Sequence, residues 1–216
     1  MRPRVKICCI SSPWEARTAI GYGASALGLV GEMPSGPGVI SDDQIRAIAA
    51  TVPPPIATFL LTSRISAEGI IEHQRQVLTN TVQMVDELKC GSYRQIREAL
   101  PAIRLVQVIH ILDEESVDQA LSVASGVDAL LLDSGNPLLT IKQLGGTGRT
   151  HDWSLSRRIR EQSPIPVFLA GGLKPENVAA AIDQVQPFGI DLCSGVRSDG
   201  KLDEGKLESL MRAAGY

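Results

Sequence analysis

The stretch Ala129-Leu130-Leu131-Leu132-Asp133 runs through four apolar residues to a carboxylate. A strand with one face in water alternates apolar and polar residues, whereas a strand covered on both faces is continuously apolar. Such double coverage occurs in parallel sheets, where helices pack on the outside of the strands. The stretch therefore predicts a buried parallel strand over residues 127–132.

Similar apolar segments alternate with helical patterns on both sides of this strand. The other predicted strands cover residues 5–10, 27–30, 56–61, 81–84, 105–111, 166–170 and 189–193. The predicted helices begin at residue 13 and at residue 66 and cover residues 42–50, 92–100, 113–123, 152–162, 175–185 and 202–214. Ser12 before Pro13 and Ser66 before Glu68 are typical of helix starts, because a serine hydroxyl can accept from a free backbone N–H.

About eight strands thus alternate with about eight helices, which is typical of a parallel (β/α)8 barrel. An open doubly wound sheet also alternates, but it has fewer units and often a GxGxxG turn after its first strand, which is absent here. The chain has 216 residues, of which 44% are hydrophobic and 21% charged, and this suits one core better than two. We therefore expect a single α/β domain over residues 1–216, a (β/α)8 TIM barrel.

Charge and cysteine content narrow the classes of function. The formal net charge is -3, and charges of both signs are interspersed, so no basic footprint for nucleic acid or an anionic membrane is present in the sequence. The N-terminus does not have the pattern of a signal peptide, and no apolar run reaches the roughly 18 residues of a membrane span. Cys8 and Cys9 are adjacent, and the cysteine spacing suggests no metal site, so we expect reduced thiols in the cytoplasm and no metal.

Three late strand ends are rich in glycine. Glycines let backbone N–H groups converge on an anion, and the positive end of a following helix adds to the attraction. In barrels of this type the late strand ends commonly hold phosphate, although any one glycine alone would equally suit a simple turn. The predicted phosphate site consists of Gly146, Thr147, Gly148, Gly171, Gly172, Ser194 and Gly195.

Two titratable side chains are candidates for proton transfer at the same end of the barrel. Asp133 ends an apolar strand, where burial would raise its pKa and let it donate a proton; the alternative is a structural aspartate that caps the next loop. Cys8 lies near the end of the first strand, with Lys6 on the same face. A thiol is a useful base only if its pKa is lowered from about 8.5, so composition alone favours a small buried cysteine at this position.

Several segments of the sequence occur in an order and with a spacing that chance explains poorly. They are Lys6-Ile7-Cys8, Gly23-Ala24-Ser25-Ala26-Leu27-Gly28, Leu131-Leu132-Asp133, Gly145-Gly146-Thr147-Gly148 with Asp152-Trp153, Leu169-Ala170-Gly171-Gly172-Leu173-Lys174-Pro175-Glu176-Asn177-Val178, and Asp191-Leu192-Cys193-Ser194-Gly195-Val196. Over nearly the whole length, the sequence resembles the phosphoribosylanthranilate isomerase family of tryptophan biosynthesis.

The resemblance implies an Amadori rearrangement of N-(5-phosphoribosyl)anthranilate to its 1-deoxyribulose aminoketose, without any cofactor. It implies that Asp133 is the general acid that protonates the ribose ring oxygen and opens the furanose. Cys8 is then the general base that takes the proton from the second sugar carbon as the Schiff base becomes an enolamine. The expected partner is a phosphorylated small-molecule substrate held by the glycine loops, and the protein is expected to be a monomer or a homodimer.

The first half of the chain departs from the family pattern. The glycine of the family motif KICG is Cys9 here, which leaves two adjacent thiols as candidates for the base. The arginine that in the family grips the anthranilate carboxylate is missing, and Gly38 stands in its place. Gln83-Met84-Val85-Asp86 replaces a glutamine-leucine-histidine-glycine motif, and Gln107 replaces a lysine that is usual on the fifth strand.

Loss of a bidentate arginine–carboxylate contact typically forfeits roughly 1.5 to 3 kcal/mol of binding. Arg64, just past the third strand, is the candidate substitute cation; Lys6 and Gln83 are further candidates for substrate contact, and Arg149 and Arg197 for the phosphate. Two alternatives stay open. One is a diverged relative that isomerises or binds another phosphorylated sugar or aminosugar, and the other is a non-catalytic barrel that binds a phosphorylated metabolite.

Overall fold

A computed structural model describes residues 2–216 of the chain. Eight parallel strands close into one barrel in sequence order, and eight helices surround it. The strands are β1 (Arg4–Ile7), β2 (Ala26–Val30), β3 (Ala57–Thr62), β4 (Thr81–Met84), β5 (Arg104–His110), β6 (Ala129–Asp133), β7 (Val167–Leu169) and β8 (Gly189–Leu192). The helices are α1 (Pro13–Gly21), α2 (Asp42–Ala49), α3 (Ala67–Val77), α4 (Tyr93–Ala99), α5 (Glu115–Val123), α6 (Trp153–Gln162), α7 (Val178–Val185) and α8 (Glu204–Ala213). The predicted (β/α)8 TIM barrel is confirmed.

The strand β6 shows why an unbroken apolar run predicts this fold. All of its residues are buried, and its side chains alternate between two clusters. Leu130 and Leu132 pack in the cluster between the strands and the helices, whereas Ala129 and Leu131 pack in the cluster inside the barrel. Because both faces are apolar environments, the strand carries no polar residue before Asp133.

The helix starts follow the predicted capping chemistry. The Ser12 hydroxyl accepts from the Glu15 backbone N–H at 3.1 Å, and the Ser66 hydroxyl accepts from the Gly69 backbone N–H at 3.2 Å. Each bond satisfies one of the N–H groups that a first helical turn leaves free. No helix of residues 2–216 is long and apolar enough to cross a membrane.

Two predicted boundaries are wrong for local reasons. The first strand was expected to extend to residue 10 but ends at Ile7, and Cys9 has a left-handed backbone with φ of 62° that interrupts the extended chain. The helix expected over residues 175–185 begins at Val178. Before it, the Asn177 side chain accepts from the Lys174 backbone N–H at 2.8 Å and closes a turn.

A small hairpin after β8 was missed by the sequence analysis. Its antiparallel strands are β9 (Arg197–Ser198) and β10 (Lys201–Leu202), joined through Asp199 and Gly200, which both have positive φ. The last helix was therefore predicted too early, at residue 202 instead of Glu204. Two-residue strands carry too few side chains to show an alternation in the sequence.

Candidate active site

A cavity opens at the C-terminal ends of the barrel strands, the end at which functional groups gather in this fold. It encloses about 740 Å³ of empty space when the open solvent at its mouth is included. The structure brings most of the predicted site residues to its wall. Those that line it are Cys8, Gln83, Asp133, Gly146, Thr147, Gly148, Gly171, Gly172 and Ser194.

Five predicted contact residues do not line the cavity, namely Lys6, Arg64, Arg149, Gly195 and Arg197. Lys6 is fully buried one layer below Cys8, and its Nζ lies 2.8 Å from Oδ1 of Asp191, its register partner on β8. Arg64 is exposed just before α3. Gly195 lies so close to the backbone that a Cβ there would overlap the carbonyl oxygen of Leu173.

The glycine loops after β6, β7 and β8 contact one another through their backbones. A Cβ on Gly172 would lie 2.5 Å from the carbonyl carbon of Arg149, in the loop between β6 and α6. Gly195 makes the corresponding close approach to Leu173, in the loop between β7 and α7. Gly172 also has φ of 61°, a conformation that side chains disfavour. This end of the cavity is therefore lined by bare backbone, as binding of an anion by N–H groups requires.

Asp133 stands at the end of β6 with 6% of its surface exposed. Burial, as the largest influence, raises the pKa of this carboxyl, against the opposing effect of His110 on β5. The Asp133 Oδ2 accepts from the Gly135 backbone N–H at 3.0 Å, and a second carboxylate, Asp191, further opposes ionisation. The carboxyl is thus biased toward the protonated form that can donate a proton.

The two adjacent thiols have opposite electrostatic environments. A hydrogen bond with the Cys9 thiol, followed by the charge of Lys6, lowers the pKa of Cys8 although burial acts to raise it. Hydrogen bonds with Cys193 and then with Cys8 raise the pKa of Cys9, and burial acts in the same direction. The Sγ atoms of Cys9 and Cys193 lie 2.7 Å apart. Of the two neighbours, Cys8 is the one that favours the thiolate, the basic form of the group.

Cys9 and Gly38 compete for the same space. A Cβ on Gly38 would lie 2.8 Å from the Cys9 Sγ and still closer to its Cβ. The cysteine side chain therefore fills the position that a side chain at residue 38 would need. The two departures from the family pattern are linked sterically, since a residue larger than glycine at position 38 requires a smaller residue at position 9.

The cavity carries acidic but no basic side chains. Among residues 2–216, no lysine, arginine or histidine lines it, whereas Asp133 and Asp191 both do. Gln83 offers an amide there, and its Oε1 is buried without a hydrogen-bond partner among the described residues. Gln107, which replaces a family lysine, bridges β4 and β5 by donating to the Met84 carbonyl at 3.2 Å. Any anionic group of a ligand would therefore be bound by dipoles instead of a cation.

Arg197, a predicted phosphate contact, is used elsewhere, and that prediction is wrong. Its Nη1 lies 3.0 Å from the Glu15 Oε1, and both residues are buried. Its Nη2 donates to the carbonyl oxygens of Cys8 and Cys9. Glu15 in turn accepts from the Leu202 backbone N–H at 2.9 Å. The guanidinium therefore holds the backbone that carries the two thiols.

The sequence analysis assigned no role to Asp191, Cys193 and His110. Asp191 and Cys193 line the cavity. Both belong to a segment that carries the family resemblance, but the sequence does not show which residues of β1 lie next to that segment in the closed barrel. By the two-residue alternation of a strand, Asp191 and Cys193 lie on one face, next to Lys6 and Cys8 of β1. Aligning the first and last predicted strands side by side would have predicted this group of residues. His110 lies beside Asp133 through the register of β5 and β6, which has no local sequence signature.

Comparison with known proteins identifies relatives over nearly the whole chain. The family model described as N-(5'-phosphoribosyl)anthranilate (PRA) isomerase matches residues 5–213. A protein of that name from Nostoc punctiforme is 36% identical over 217 residues, covering 98% of each chain. Another, from Methanocella arvoryzae, is 32% identical over 204 residues, covering 94% of this chain and 93% of the relative.

Solved structures agree with these sequence matches. The crystal structure of phosphoribosyl anthranilate isomerase from Thermotoga maritima superposes with a TM-score of 0.80 at 30% identity and covers 98% of both chains. A structure of such an isomerase in complex with reduced 1-(o-carboxyphenylamino)-1-deoxyribulose 5-phosphate superposes with a TM-score of 0.78 at 28% identity, again over 98% of both chains. From the family model and the relatives together, the chain belongs to the N-(5'-phosphoribosyl)anthranilate isomerase family of enzymes.

Proposed function

We propose that the protein isomerises N-(5'-phosphoribosyl)anthranilate to 1-(o-carboxyphenylamino)-1-deoxyribulose 5-phosphate without a cofactor, with Asp133 as general acid and Cys8 as general base. One observation carries the proposal. A carboxyl whose pKa is raised and a thiol whose pKa is lowered line the same cavity, beside three interlocked glycine loops. These are the opposite biases that an acid and a base need in order to act in one reaction near neutral pH.

The acid step begins on the ribose. Asp133 gives its proton to the ring oxygen, the bond from that oxygen to C1 breaks, and the nitrogen lone pair forms the Schiff base. The base step follows, when the Cys8 thiolate takes the proton on C2. The electrons of that C–H bond form the C1–C2 double bond of the enolamine, and the second electron pair of the C1=N bond returns to the nitrogen. Tautomerisation of the enolamine gives the ketone. Lys6 assists from below, because its positive charge favours the thiolate of Cys8.

The phosphate of the substrate is assigned to the glycine-lined end. Gly146, Thr147 and Gly148 would contact it from the β6 side, and Gly171, Gly172 and Ser194 from the β7 and β8 side. Bare backbone at these positions allows N–H groups to approach the oxygens closely. Gly195 supports this loop set without lining the cavity. A cytoplasmic location and a monomeric or homodimeric state complete the proposal.

An assay of turnover tests the assignment. Purified protein is mixed with freshly made N-(5'-phosphoribosyl)anthranilate, and the loss of anthranilate fluorescence is followed for the wild type, Asp133→Asn and Cys8→Ser. Each variant is expected to lower kcat by about 10²- to 10⁴-fold, the usual share of a positioned acid or base. Cys90→Ser and Asp43→Asn serve as controls, because both residues are exposed and neither lines the cavity. Full activity in Asp133→Asn would contradict the acid assignment.

A second candidate function is isomerisation of another phosphorylated aminosugar. It is favoured by the absence of basic side chains among the described residues that line the cavity. The anthranilate carboxylate would find no basic side chain among the described residues that line the cavity. Complementation of a tryptophan auxotroph separates the candidates, since growth requires the anthranilate compound as substrate. A thermal-shift panel of phosphosugars complements it, because a ligand at 100 times its Kd adds about 2.7 kcal/mol of stability. Stabilisation without complementation would support the second candidate.

A further inference from the structure

We propose that Cys9 and Cys193 form a redox modification site, at which a hydroperoxide joins the two thiols in a disulfide and so withdraws the Cys9 thiol from Cys8. The bond would tie the segment after β1 to the segment after β8, where the first and last strands close the barrel. Its formation does not depend on the identity of the substrate. Its effect on turnover rests on the proposed function, in which Cys8 is the base.

The two sulfur atoms already lie close to bonding distance. The Sγ atoms of Cys9 and Cys193 are 2.7 Å apart, and a disulfide bond measures about 2.05 Å, so a relative movement of less than about 1 Å joins them. Both thiols are free in this structure, and both line the cavity, through which a small oxidant can reach them. The proposed reaction uses neither thiol as acid or base.

The backbone around Cys9 fixes the position of its side chain. Residue 9 has a left-handed backbone, with φ of 62°, and the Arg197 Nη2 donates to the carbonyl oxygens of Cys8 and Cys9. A Cβ at Gly38 would lie 2.8 Å from the Cys9 Sγ, so the chain on that side leaves the thiol little room to turn away. The Cys8 N–H donates to the Leu192 carbonyl oxygen at 2.7 Å and holds the two strand ends side by side. The two thiols therefore meet without a loop movement.

Exposure decides which sulfur reacts first. Cys9 is buried, whereas Cys193 is partly exposed. Oxidation by a peroxide favours the more accessible thiol, and a second thiol beside it acts as the resolving group. Cys193 is therefore the site of attack, and Cys9 is the resolving thiol.

The oxidation takes place in two balanced steps. In the first, the Cys193 sulfur attacks one oxygen of the hydroperoxide and the O–O bond breaks. The other oxygen leaves with the thiol proton as water or an alcohol, and Cys193 carries a sulfenic acid. In the second, the Cys9 sulfur attacks the Cys193 sulfur, the S–O bond breaks, and the departing hydroxide takes the Cys9 proton and leaves as water. Two electrons pass from the two thiols to one hydroperoxide.

Transfer of the Cys9 proton to the departing oxygen suits the environment of this thiol. Hydrogen bonds with Cys193 and then with Cys8 raise the pKa of Cys9, so the group keeps its proton until it reacts. Because the proton leaves in the same step in which the S–S bond forms, the reaction does not require a free Cys9 thiolate.

The disulfide removes the hydrogen-bond donor that assists the proposed base. A hydrogen bond with the Cys9 thiol is the largest influence that lowers the pKa of Cys8, and a disulfide sulfur has no hydrogen to donate. The charge of Lys6 remains, since its Nζ lies 2.8 Å from the Asp191 Oδ1 in both redox forms of the thiols. We therefore expect oxidation to lower kcat at neutral pH by about tenfold, the usual worth of one hydrogen bond.

Peptide mapping of the full-length protein tests whether the bond forms. The protein is treated with hydrogen peroxide, the remaining thiols are alkylated, and the chain is cleaved with trypsin. Cys8 and Cys9 are released on the peptide of residues 7–17. Cys193 is released on the peptide of residues 161–197, and the two peptides should be cross-linked. Cys8→Ser should keep the cross-link, and Cys9→Ser should lose it. A wild type without the cross-link, or a cross-link that persists in Cys9→Ser, would overturn the proposal.

Turnover before and after oxidation tests the effect on the base. In the wild type, kcat for N-(5'-phosphoribosyl)anthranilate should fall about tenfold with hydrogen peroxide and recover with dithiothreitol. Cys193→Ser should show no loss that dithiothreitol reverses. Cys90→Ser is the matched control and should respond as the wild type does, because Cys90 is exposed and does not line the cavity.

The two measurements separate this inference from the proposed function. A cross-linked protein with unchanged kcat would overturn the effect on Cys8. A protein that forms the cross-link between Cys9 and Cys193, but in its reduced form does not turn over N-(5'-phosphoribosyl)anthranilate, would keep the modification site and reject only the proposed function.

Discussion

One side of the cavity mouth is formed mainly by backbone and the other mainly by side chains. The side after β6, β7 and β8 consists of glycine backbones in mutual contact, while the side formed by β1 to β4 consists of side chains such as Cys9, Met33 and Gln83. Backbone that depends on close contact cannot change at one position without disturbing the next loop. Side chains can be exchanged in compensating pairs, as Cys9 and Gly38 illustrate. The difference indicates that the glycine-lined end is constrained by geometry and that the opposite end is free to set ligand preference.

The largest effect is expected from Gly172→Ala. The new Cβ would meet the Arg149 backbone at 2.5 Å, at a residue with φ of 61°. Overpacking of this kind costs about 1 to 3 kcal/mol, and the left-handed conformation adds about 1 kcal/mol. Unfolding in urea should show that loss, and the thermal shift caused by inorganic phosphate should disappear.

The matched control is Gly200→Ala, in the hairpin after β8. Gly200 has φ of 75°, but a Cβ there meets nothing within 4 Å. It isolates the cost of the backbone conformation from that of the contact. Equal losses in the two variants would show that the loops after β6 and β7 are not interlocked.

The next largest effect is an increase in ligand affinity at the β1 to β4 side of the cavity mouth, expected from the double variant Cys9→Gly/Gly38→Arg. Glycine suits the φ of 62° at residue 9 and removes the Cys9 Cβ and Sγ that a side chain at residue 38 would overlap. The φ of 80° at residue 38 still disfavours a side chain, so the double variant should be less stable than the wild type. We expect an anthranilate-bearing product analogue to bind about ten- to a hundredfold more tightly, the usual worth of a charge-assisted carboxylate contact. Calorimetric titration measures this.

The single variant Gly38→Arg is the control for that pair. Because the Cys9 Sγ would lie 2.8 Å from the new Cβ, the single change should lower stability and leave affinity unimproved. If the single variant binds as tightly as the double variant, the two positions are not coupled and the comparison between the two sides of the mouth loses its main example.

The same contrast explains which features of the fold and of the site could be predicted from the sequence. The strand from Ala129 to Asp133 and the glycine loops were predicted because each depends on a local pattern, whereas the roles of Cys8 and Asp133 as base and acid were implied by the family resemblance. The pairing of Lys6 with Asp191 was not, because it depends on closure of β1 against β8. Arg197 was misassigned for a similar reason, since its partner Glu15 lies 182 positions away along the chain. Residues that act across the closing strands carry no signature in their own neighbourhood.

A pH effect of intermediate size is expected from His151, in the loop that leads from the glycines to α6. Burial lowers the pKa of His151 to about 4, and its Nε2 lies 2.6 Å from the Ser156 hydroxyl. In the unfolded chain a histidine has a pKa of about 6.5, so between those values the unfolded state binds more protons. Stability is therefore fully present above about pH 6.5 and is lost as the pH falls, by about 2 kcal/mol at pH 5.

Urea unfolding of His151→Gln at pH 7 and pH 5 measures that loss. The variant should lose less stability between the two pH values than the wild type, because its side chain does not titrate. His73 on α3, whose pKa is also lowered by burial, provides the counterpart on the other side of the barrel. If the variant and the wild type respond equally to pH, His151 is protonated in the folded protein and the loop before α6 is more open than its burial indicates.

The smallest effect is expected from Arg64→Ala, and it bears directly on the contrast between the two sides. Arg64 is exposed and does not line the cavity, so kcat and KM should change by no more than about twofold, the range of ordinary surface substitutions. Gln83→Leu is the matched comparison, because it removes a polar group that does line the cavity, and it should raise KM more than Arg64→Ala does. A tenfold rise in KM for Arg64→Ala would mean that this arginine swings over the mouth when substrate is bound. The β1 to β4 side would then supply a cation after all, and its freedom to set ligand preference would depend on a loop movement instead of on the residues that form the wall.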